Sequence, residues 1–273
     1  SVVRRNALRK IGEHDLYLSG IASDGRNGYY LNTSQGILHY PAGSFDEAVE
    51  RIGGSGAVKA LALNGSQIVV SLGNRLYALK LDDACDSPLS SQGNEPWRVG
   101  NGWSGESDGI AADGNAFLVY DRKGGILWRF QPKAEGAERW VRQPETFRDL
   151  RDMAVRNGKR FFLDAGTAAF RNNANRLDAF DSDTVAVADS RSVSLIVKGR
   201  EQWTTALKEI RDIAVLGEYL AVAAGDSLLL LDRKEGKIVF RTPAKLDHLA
   251  ADGKWLIGSD PDQAAILRFK LKP

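Results

Sequence analysis

A five-residue motif of the form apolar–Ala–x–Asp/Asn–Gly recurs along the chain and constrains its fold more than any other feature. Clear copies begin at Ile21, Leu61, Ile110 and Leu249. Looser copies surround three further alanines. The alanines of the repeat stand at positions 22, 62, 111, 154, 179, 214 and 250, on average 38 residues apart. A period of this length is typical of architectures in which each repeat builds one structural unit.

Each alanine is followed by further short β-rich runs separated by polar turns. After Ala111, for example, such runs occupy residues 116–119, 126–128 and 140–142. The turns contain glycine or asparagine, which tolerate the positive φ of tight hairpins. Four short strands in roughly 40 residues, without a helical period, are typical of a β-propeller blade. The sequence therefore predicts an all-β, seven-bladed propeller that forms a single domain over residues 1–273.

The two ends of the chain are expected to complete one blade. The last repeat ends after its third β-rich run at Leu271, whereas residues 2–8 form a β-rich run that precedes the first repeat. Pairing the two would cover an open sheet edge, so we expect the N-terminal strand to close the last blade. The step from Ala154 to Ala179 is only 25 residues. A propeller of six blades therefore remains an alternative.

Composition excludes several classes of protein. The chain has 37 Lys and Arg against 35 Asp and Glu, a net charge of +2, so no nucleic-acid partner is expected. No apolar stretch approaches the ~20 residues of a membrane-spanning helix, so no membrane span is expected. Cys85 is the only cysteine, which excludes an internal disulfide. Because the chain starts at Ser1, we expect a processed or excised product. We expect a monomer, and the compartment stays open.

Residues 75–82 and 229–240 resemble the repeat of quinoprotein-like propellers. In that family the third strand ends in Asp, a Gly-containing turn follows, and a fourth-strand Trp docks between blades. Here Trp97, Trp140 and Trp203 stand at the docking position, with Phe240 replacing Trp in one repeat. The family's enzymes usually have eight blades and stack their quinone against a disulfide of adjacent cysteines. The resemblance therefore implies the non-catalytic branch, with no cofactor, and export to the periplasm or outside the cell. The Gly-His and Trp-Asp dipeptides of WD40 repeats do not occur.

A carboxylate precedes several of the repeat alanines. These residues are Asp108, Asp152, Asp212 and Asp247, with Asp178 less securely aligned. In a propeller they would lie around one mouth of the channel, where their combined field could attract a cation, an amine or a basic peptide. Alternatively, each Asp accepts backbone N–H groups, with Arg151 and Arg211 neutralising their neighbours in the sequence. The three histidines have no metal-ligand spacing, so no metal site is expected.

The largest departure from the repeat is an insertion within residues 82–107. Insertions between short strands form surface loops, which is where propellers place binding residues. Trp103 stands between Gly102 and Ser104 with no strand to pack into, and an exposed Trp suits a protein contact or sugar stacking. The predicted contact residues for a protein partner are Trp103, Asn101, Glu95 and Glu106.

Three functions are compatible with these patterns. The first is a non-catalytic propeller that acts as a binding platform for a protein or other macromolecule. The second is a small-ligand or cation-binding propeller, or an enzyme, whose site lies at the channel mouth. The third is a sugar-binding lectin. We found no convergent set of acid, base and nucleophile, which favours the first.

Overall fold

The computed structural model describes the backbone of residues 2–7, 18–23, 29–33, 36–40, 50–52, 58–64, 67–72, 75–80, 107–122, 124–131, 134, 136–165, 173–252, 255–260, 262 and 265–271, with side chains only from residue 109 onward. These ranges consist mainly of strands of three to seven residues, together with one 3-10 turn at Gly136–Glu138. The all-β prediction is confirmed. The chain divides into two compact units, Asp15–Leu150 and Ser1–His14 with Arg151–Pro273. The single domain stays a prediction.

The unit Asp15–Leu150 contains three antiparallel sheets. The first is β2 (Leu18–Ser23), β3 (Tyr29–Thr33), β4 (Gly36–Tyr40) and β5 (Glu50–Ile52). The second is β6 (Val58–Asn64), β7 (Gln67–Leu72) and β8 (Arg75–Lys80). The third is β9 (Ser107–Asp113), β10 (Ala116–Asp121), β11 (Ile126–Phe130) and β12 (Trp140–Thr146). In each sheet, strands consecutive in the chain pair with each other.

The other unit contains four sheets, of which the last uses both ends of the chain. Strands β13 (Leu150–Arg156) and β14 (Lys159–Asp164) pair with each other. The next sheet is β15 (Arg176–Ala179), β16 (Thr184–Ala188), β17 (Ser192–Val197) and β18 (Arg200–Ala206). The third is β19 (Ile210–Leu216), β20 (Tyr219–Ala224), β21 (Ser227–Asp232) and β22 (Ile238–Pro243). The last has the order β1 (Val2–Ala7), β25 (Ala265–Lys270), β24 (Trp255–Asp260) and β23 (His248–Asp252).

The repeat alanines mark corresponding places in these sheets. Each lies on the first strand of a different sheet, namely β2, β6, β9, β13, β15, β19 and β23. The described strands thus pair into seven sheets. Strand β15 pairs with β16 and not with β14, so Ala179 belongs to a sheet of its own. The third run predicted after β14, at residues 168–170, lies outside the described residues.

The predicted pairing of the N-terminal strand with the last repeat is confirmed. Strand β1 runs antiparallel to β25, with Asn6 opposite Ile266 and Ala7 opposite Ala265. The pairing makes β1 the fourth strand of the last sheet and leaves β23 at its other edge. An edge of β25 that would otherwise expose unpaired N–H and C=O groups is thereby covered.

In the unit Ser1–His14 with Arg151–Pro273, the hydrophobic core lies between the faces of consecutive sheets. One cluster joins Val193 of β17 to Ile213, Val222 and Leu229 of the next sheet. A second joins that sheet to the last one, through residues such as Leu246 and Phe269. The middle strands are buried throughout or nearly so, as in β16, whereas the fourth strands β18 and β22 are largely exposed. Burial on both faces explains why the middle strands are almost wholly apolar.

Candidate functional site

Three of the aspartates before the repeat alanines make the same contacts. Asp152, Asp178 and Asp212 lie on the first strands β13, β15 and β19. In each, Oδ1 accepts the backbone N–H of the next residue, at 2.8 to 2.9 Å. Oδ2 accepts an N–H of the first strand of the following sheet. These donors are Leu177 at 2.8 Å, Val215 at 2.7 Å and Leu249 at 2.8 Å.

These three residues, hereafter the aspartate clamps, hold consecutive sheets together. The strands β15, β19 and β23 are edge strands of their sheets, so their outer N–H groups have no partner within the sheet. A carboxylate from the preceding sheet supplies that partner. Hydrogen bonds to a charged acceptor are stronger than those between neutral groups, at about 1.5–3 kcal/mol each. The clamps are therefore a repeated structural device, as the second interpretation of the aspartates predicted.

Arginines contribute to the same layer, and Arg211 does so with a different partner from the one predicted. Arg211 does not neutralise Asp212, its neighbour in the sequence; its Nε lies 3.7 Å from Oδ1 of Asp247. The ion partner of Asp212 is Arg176, whose Nε lies 3.7 Å from Oδ1. The predicted pairing of Arg211 with Asp212 was therefore wrong: Arg211 is the extra residue of a β-bulge between Ile210 and Asp212, and its ion partner is Asp247.

Two of these arginines also donate hydrogen bonds to carbonyl groups. Arg176 Nε donates to the carbonyl of Arg211 at 3.1 Å, and Arg151 Nη1 donates to that of Ala174 at 3.2 Å. An arginine one or two residues before each clamp was visible in the sequence. Its partner was not, because that partner lies in the first strand of the following sheet or just before it.

Burial changes the ionisation of the clamps. It raises the pKa of Asp152 to about 7, against the two backbone N–H bonds that favour the anion, and the nearby negative charge of Asp212 adds to the increase. Burial likewise raises the pKa of Asp212 to about 6, opposed by its hydrogen bonds and by Arg176. The pKa of Asp178 is also raised by burial. Asp152 and Asp212 thus take up protons at a pH where an exposed Asp is fully ionised.

The remaining predicted site residues have varied outcomes. Asp247 is 39% exposed at its side chain and paired with Arg211. Asp108 lies on β9, but its side chain is outside the described residues, as are Trp103, Asn101, Glu95 and Glu106. Among the side chains that the structure describes, no group of three His, Cys, Asp or Glu could hold a metal ion.

The predicted docking tryptophans occupy different environments. Trp203 on β18 donates its indole N–H to the carbonyl of Arg233 in the next sheet, at 2.9 Å. Its ring covers Gly236, where a β-carbon would lie 2.4 Å from Cε3. Trp203 thus docks between two sheets, as predicted, with its side chain half-buried. Trp140 stacks on Phe130 of its own sheet, with centroids 4.3 Å apart; its docking against another sheet stays a prediction. Trp97 lies outside the described residues.

Comparison with known proteins identifies solved structures with a similar fold. No family model and no curated protein matches the chain. A chain of the crystal structure of the Mitotic Checkpoint Complex is similar with a TM-score of 0.73 and 13% identity, over 100% of this chain and 95% of that one. The WD40 beta propeller domain of Doa1 is similar with a TM-score of 0.70 and 10% identity, over 99% and 98%. The fold is that of a β-propeller. BamB from Moraxella catarrhalis is also similar, with a TM-score of 0.63 and 12% identity over 99% of both chains.

The propeller fold explains the arrangement of the clamps. Propeller blades are mostly four-stranded sheets set around a common channel, each contacting the next. Within residues 151–273, the aspartate clamps are therefore contacts between consecutive blades. In the described part of the chain, no helix is long and apolar enough to cross a membrane.

Proposed function

We propose that this propeller is a non-catalytic binding platform for a protein partner. The observation that carries the proposal is the contact pattern of Asp152, Asp178 and Asp212, whose carboxylates each accept two backbone N–H groups. Asp152 and Asp212 were two of the four candidates for a reaction or cation site at the channel mouth, with Asp178 as a less securely aligned addition. Their oxygens are engaged in joining blades, so the repeat builds a scaffold whose outer surfaces are free to diverge for recognition.

We assign the propeller to the quinoprotein-like type with seven blades. Two contacts support this subtype. Asp232 at the end of β21 accepts the N–H groups of Glu235 and Lys237 and so holds the turn before β22. Trp203 docks over that turn from the preceding blade. Both correspond to the repeat features on which the resemblance rests.

The partner surface that we propose is the insertion at residues 82–107, with Trp103 as the central contact and Asn101, Glu95 and Glu106 around it. Protein interfaces concentrate their binding free energy in a few large side chains, among which Trp is enriched. The structural neighbours include a chain from a protein assembly, the Mitotic Checkpoint Complex. This agrees with a role in protein binding, although the low identity transfers no partner to this chain.

One paired experiment tests the proposal against a channel-mouth site. Two variants are compared, Trp103→Ala and the double variant Asp152→Asn with Asp212→Asn. For each, partner capture is measured by cross-linking and calcium binding by calorimetric titration. We expect Trp103→Ala to weaken partner capture at unchanged stability, by about 2 kcal/mol for a central contact. The correctly folded Asp variant should still capture the partner, and calcium should bind neither variant nor wild type. Calcium binding lost only in the Asp variant, with Trp103→Ala without effect, would favour the channel site instead.

A further inference from the structure

The contact of β13 and β14 with the sheet β15 to β18, hereafter the Asp152 junction, has little apolar packing. Among the residues that the structure describes, these two strands contribute Leu163 as the buried side chain of the shared cluster, with Ala154 and Phe161 half-buried. The next contact, between the sheets β15 to β18 and β19 to β22, has buried side chains from both sheets, such as Val193 and Leu229. The Asp152 junction is therefore the less apolar of the two.

The first strand β13 is also less buried than its counterpart β19. Residues 153–155, which follow Asp152, are half-buried. Residues 213–215, which follow Asp212 in the same way, are buried. Segments with few buried apolar contacts open at a lower free energy than the rest of a structure. We therefore expect β13 and β14 to separate from the next sheet more readily than later sheets separate from each other.

Polar side chains cross the Asp152 junction. Arg151 and Arg156 donate to backbone carbonyls of residues 174 and 179, at 3.2 and 3.0 Å. Lys159 Nζ donates to an aspartate of the next sheet at 3.3 Å. Between the two arginines in the sequence, Asp152 accepts the N–H of Leu177 at 2.8 Å. Asp152 is thus the acidic side chain that β13 places in the junction.

The charged groups around Asp152 come from four strands. Arg176 on β15 favours its anion, and Asp212 on β19 opposes it. The other charged residues of β13, β14, β15 and β19 are Arg151, Arg156, Lys159, Arg160, Asp164, Asp178 and Arg211. Burial is the strongest influence and, together with Asp212, raises the pKa of Asp152 to about 7. A neutral carboxyl group still has a carbonyl oxygen that can accept the Leu177 N–H.

We propose that the Asp152 junction is a pH-dependent latch, whose local opening is coupled to release of the Asp152 proton. In the open junction the carboxyl group contacts water, where an ordinary Asp ionises near pH 4. Opening therefore becomes more favourable as the pH rises from 4 to 7. Above about pH 7 the dependence ends, because the closed junction is then ionised as well. This conformational role does not depend on the proposed partner surface.

Amide hydrogen exchange of the whole chain, followed by NMR between about pH 5 and 8, measures the opening at Leu177. We expect the protection factor of Leu177, corrected for the intrinsic pH dependence of exchange, to fall roughly tenfold per pH unit up to about pH 7 and then to stay constant. A protection factor that does not change with pH would overturn the latch.

Leu249 is the matched control within the same molecule. Asp212 accepts its N–H at the same 2.8 Å, across a junction with a larger buried apolar cluster. Leu249 should be more protected than Leu177, and low urea should speed exchange at Leu249 but not at Leu177, because the effect of urea grows with the surface exposed. Equal protection and equal urea dependence at the two amides would show that both exchange by unfolding of the whole unit, and would overturn the local opening.

Three variants assign the proton. Asp152→Asn keeps a neutral side chain of similar shape, so the protection of Leu177 should no longer change with pH. Asp212→Asn removes the charge that helps to raise the pKa of Asp152, so protection should become constant at a lower pH. Asp183→Asn is the matched control, because Asp183 contributes a 48% exposed carboxylate to the same junction, and the pH dependence should persist. Unchanged pH dependence in Asp152→Asn would place the proton on another group and overturn the assignment.

Discussion

Gly236 is the position where one added methyl group should report most directly on the contact between two blades. Its φ is +68°, in the left-handed region that side chains disfavour. A β-carbon there would lie 2.4 Å from Cε3 of Trp203 and 2.8 Å from Oγ1 of Thr205. Gly236→Ala therefore combines a backbone cost with a collision against the docking ring.

The two contributions have different sizes. Placing Ala in the left-handed region costs about 1–2 kcal/mol. Displacing the Trp203 ring adds overpacking of about 1–3 kcal/mol and loss of the indole hydrogen bond to Arg233, about 1 kcal/mol. We expect Gly236→Ala to lower the free energy of unfolding by roughly 4 kcal/mol. Gly199→Ala is the matched control, because Gly199 has a φ of +76° and no atom within 4 Å of its ideal β-carbon. It should cost only the backbone contribution.

The measurement is urea unfolding followed by circular dichroism, for wild type, Gly236→Ala, Gly199→Ala, Trp203→Ala and the double variant at 203 and 236. Trp203→Ala alone should cost about 3 kcal/mol. In its background, Gly236→Ala should cost about 2 kcal/mol less than in wild type, because the ring it strikes is gone. Equal costs for Gly236→Ala and Gly199→Ala, or additive effects in the double variant, would refute the docking geometry.

Three other predictions follow from the packing. Burial raises the pKa of Asp152 to about 7 and that of Asp212 to about 6. The folded chain therefore retains protons that the unfolded chain releases near pH 4. The free energy of unfolding that these groups contribute should fall as the pH rises from 4 to 7. Urea midpoints should show the deficit of Asp152→Asn shrinking over this range, by up to about 1.4 kcal/mol per pH unit, and a constant deficit would contradict the assignment. Deleting residues 1–10 removes the β1 ladder and should lower the melting temperature by roughly 10 °C in calorimetry, since several hydrogen bonds of ~1 kcal/mol each are lost; an unchanged melting temperature would show that β1 adds no stability. Gly258→Ala would bring a β-carbon to 2.6 Å from Leu246 Cδ1 and should lower the free energy of unfolding by about 2 kcal/mol. This loss should be smaller in a Leu246→Ala background. A loss of the same size in that background would show that the collision with Leu246 is not its cause.

The sequence predicted the repeated elements well because their signals are local. An alanine before a turn, followed by short apolar runs, can be recognised within a single repeat. Every repeat alanine lies on the first strand of a sheet. The pairing of β1 with β25 was also predictable, since one repeat lacked a strand and the N-terminal run lacked a partner. Likeness to WD40 propellers was not predictable, because that fold forms here without the Gly-His and Trp-Asp dipeptides.

The candidate site was predictable only in its residue types. The positions of Asp152 and Asp212 were visible, but the distinction between a clamp and a ligand site depends on which N–H lies 2.8 Å away in another sheet.

The pairing of β1 with β25 also bears on how the chain folds. Residues such as Val2 and Phe269 are partners across nearly the full length of the sequence, whereas the hairpins within the other blades form between near neighbours. Bringing such distant segments together carries the largest loop-closure entropy in the molecule, and native contacts of long range slow folding. We therefore expect the last blade to be completed after the others, in a slow kinetic phase. Its amide protons in β1 should be the first among the strands to exchange with solvent, because a terminal ladder that forms late reopens most readily.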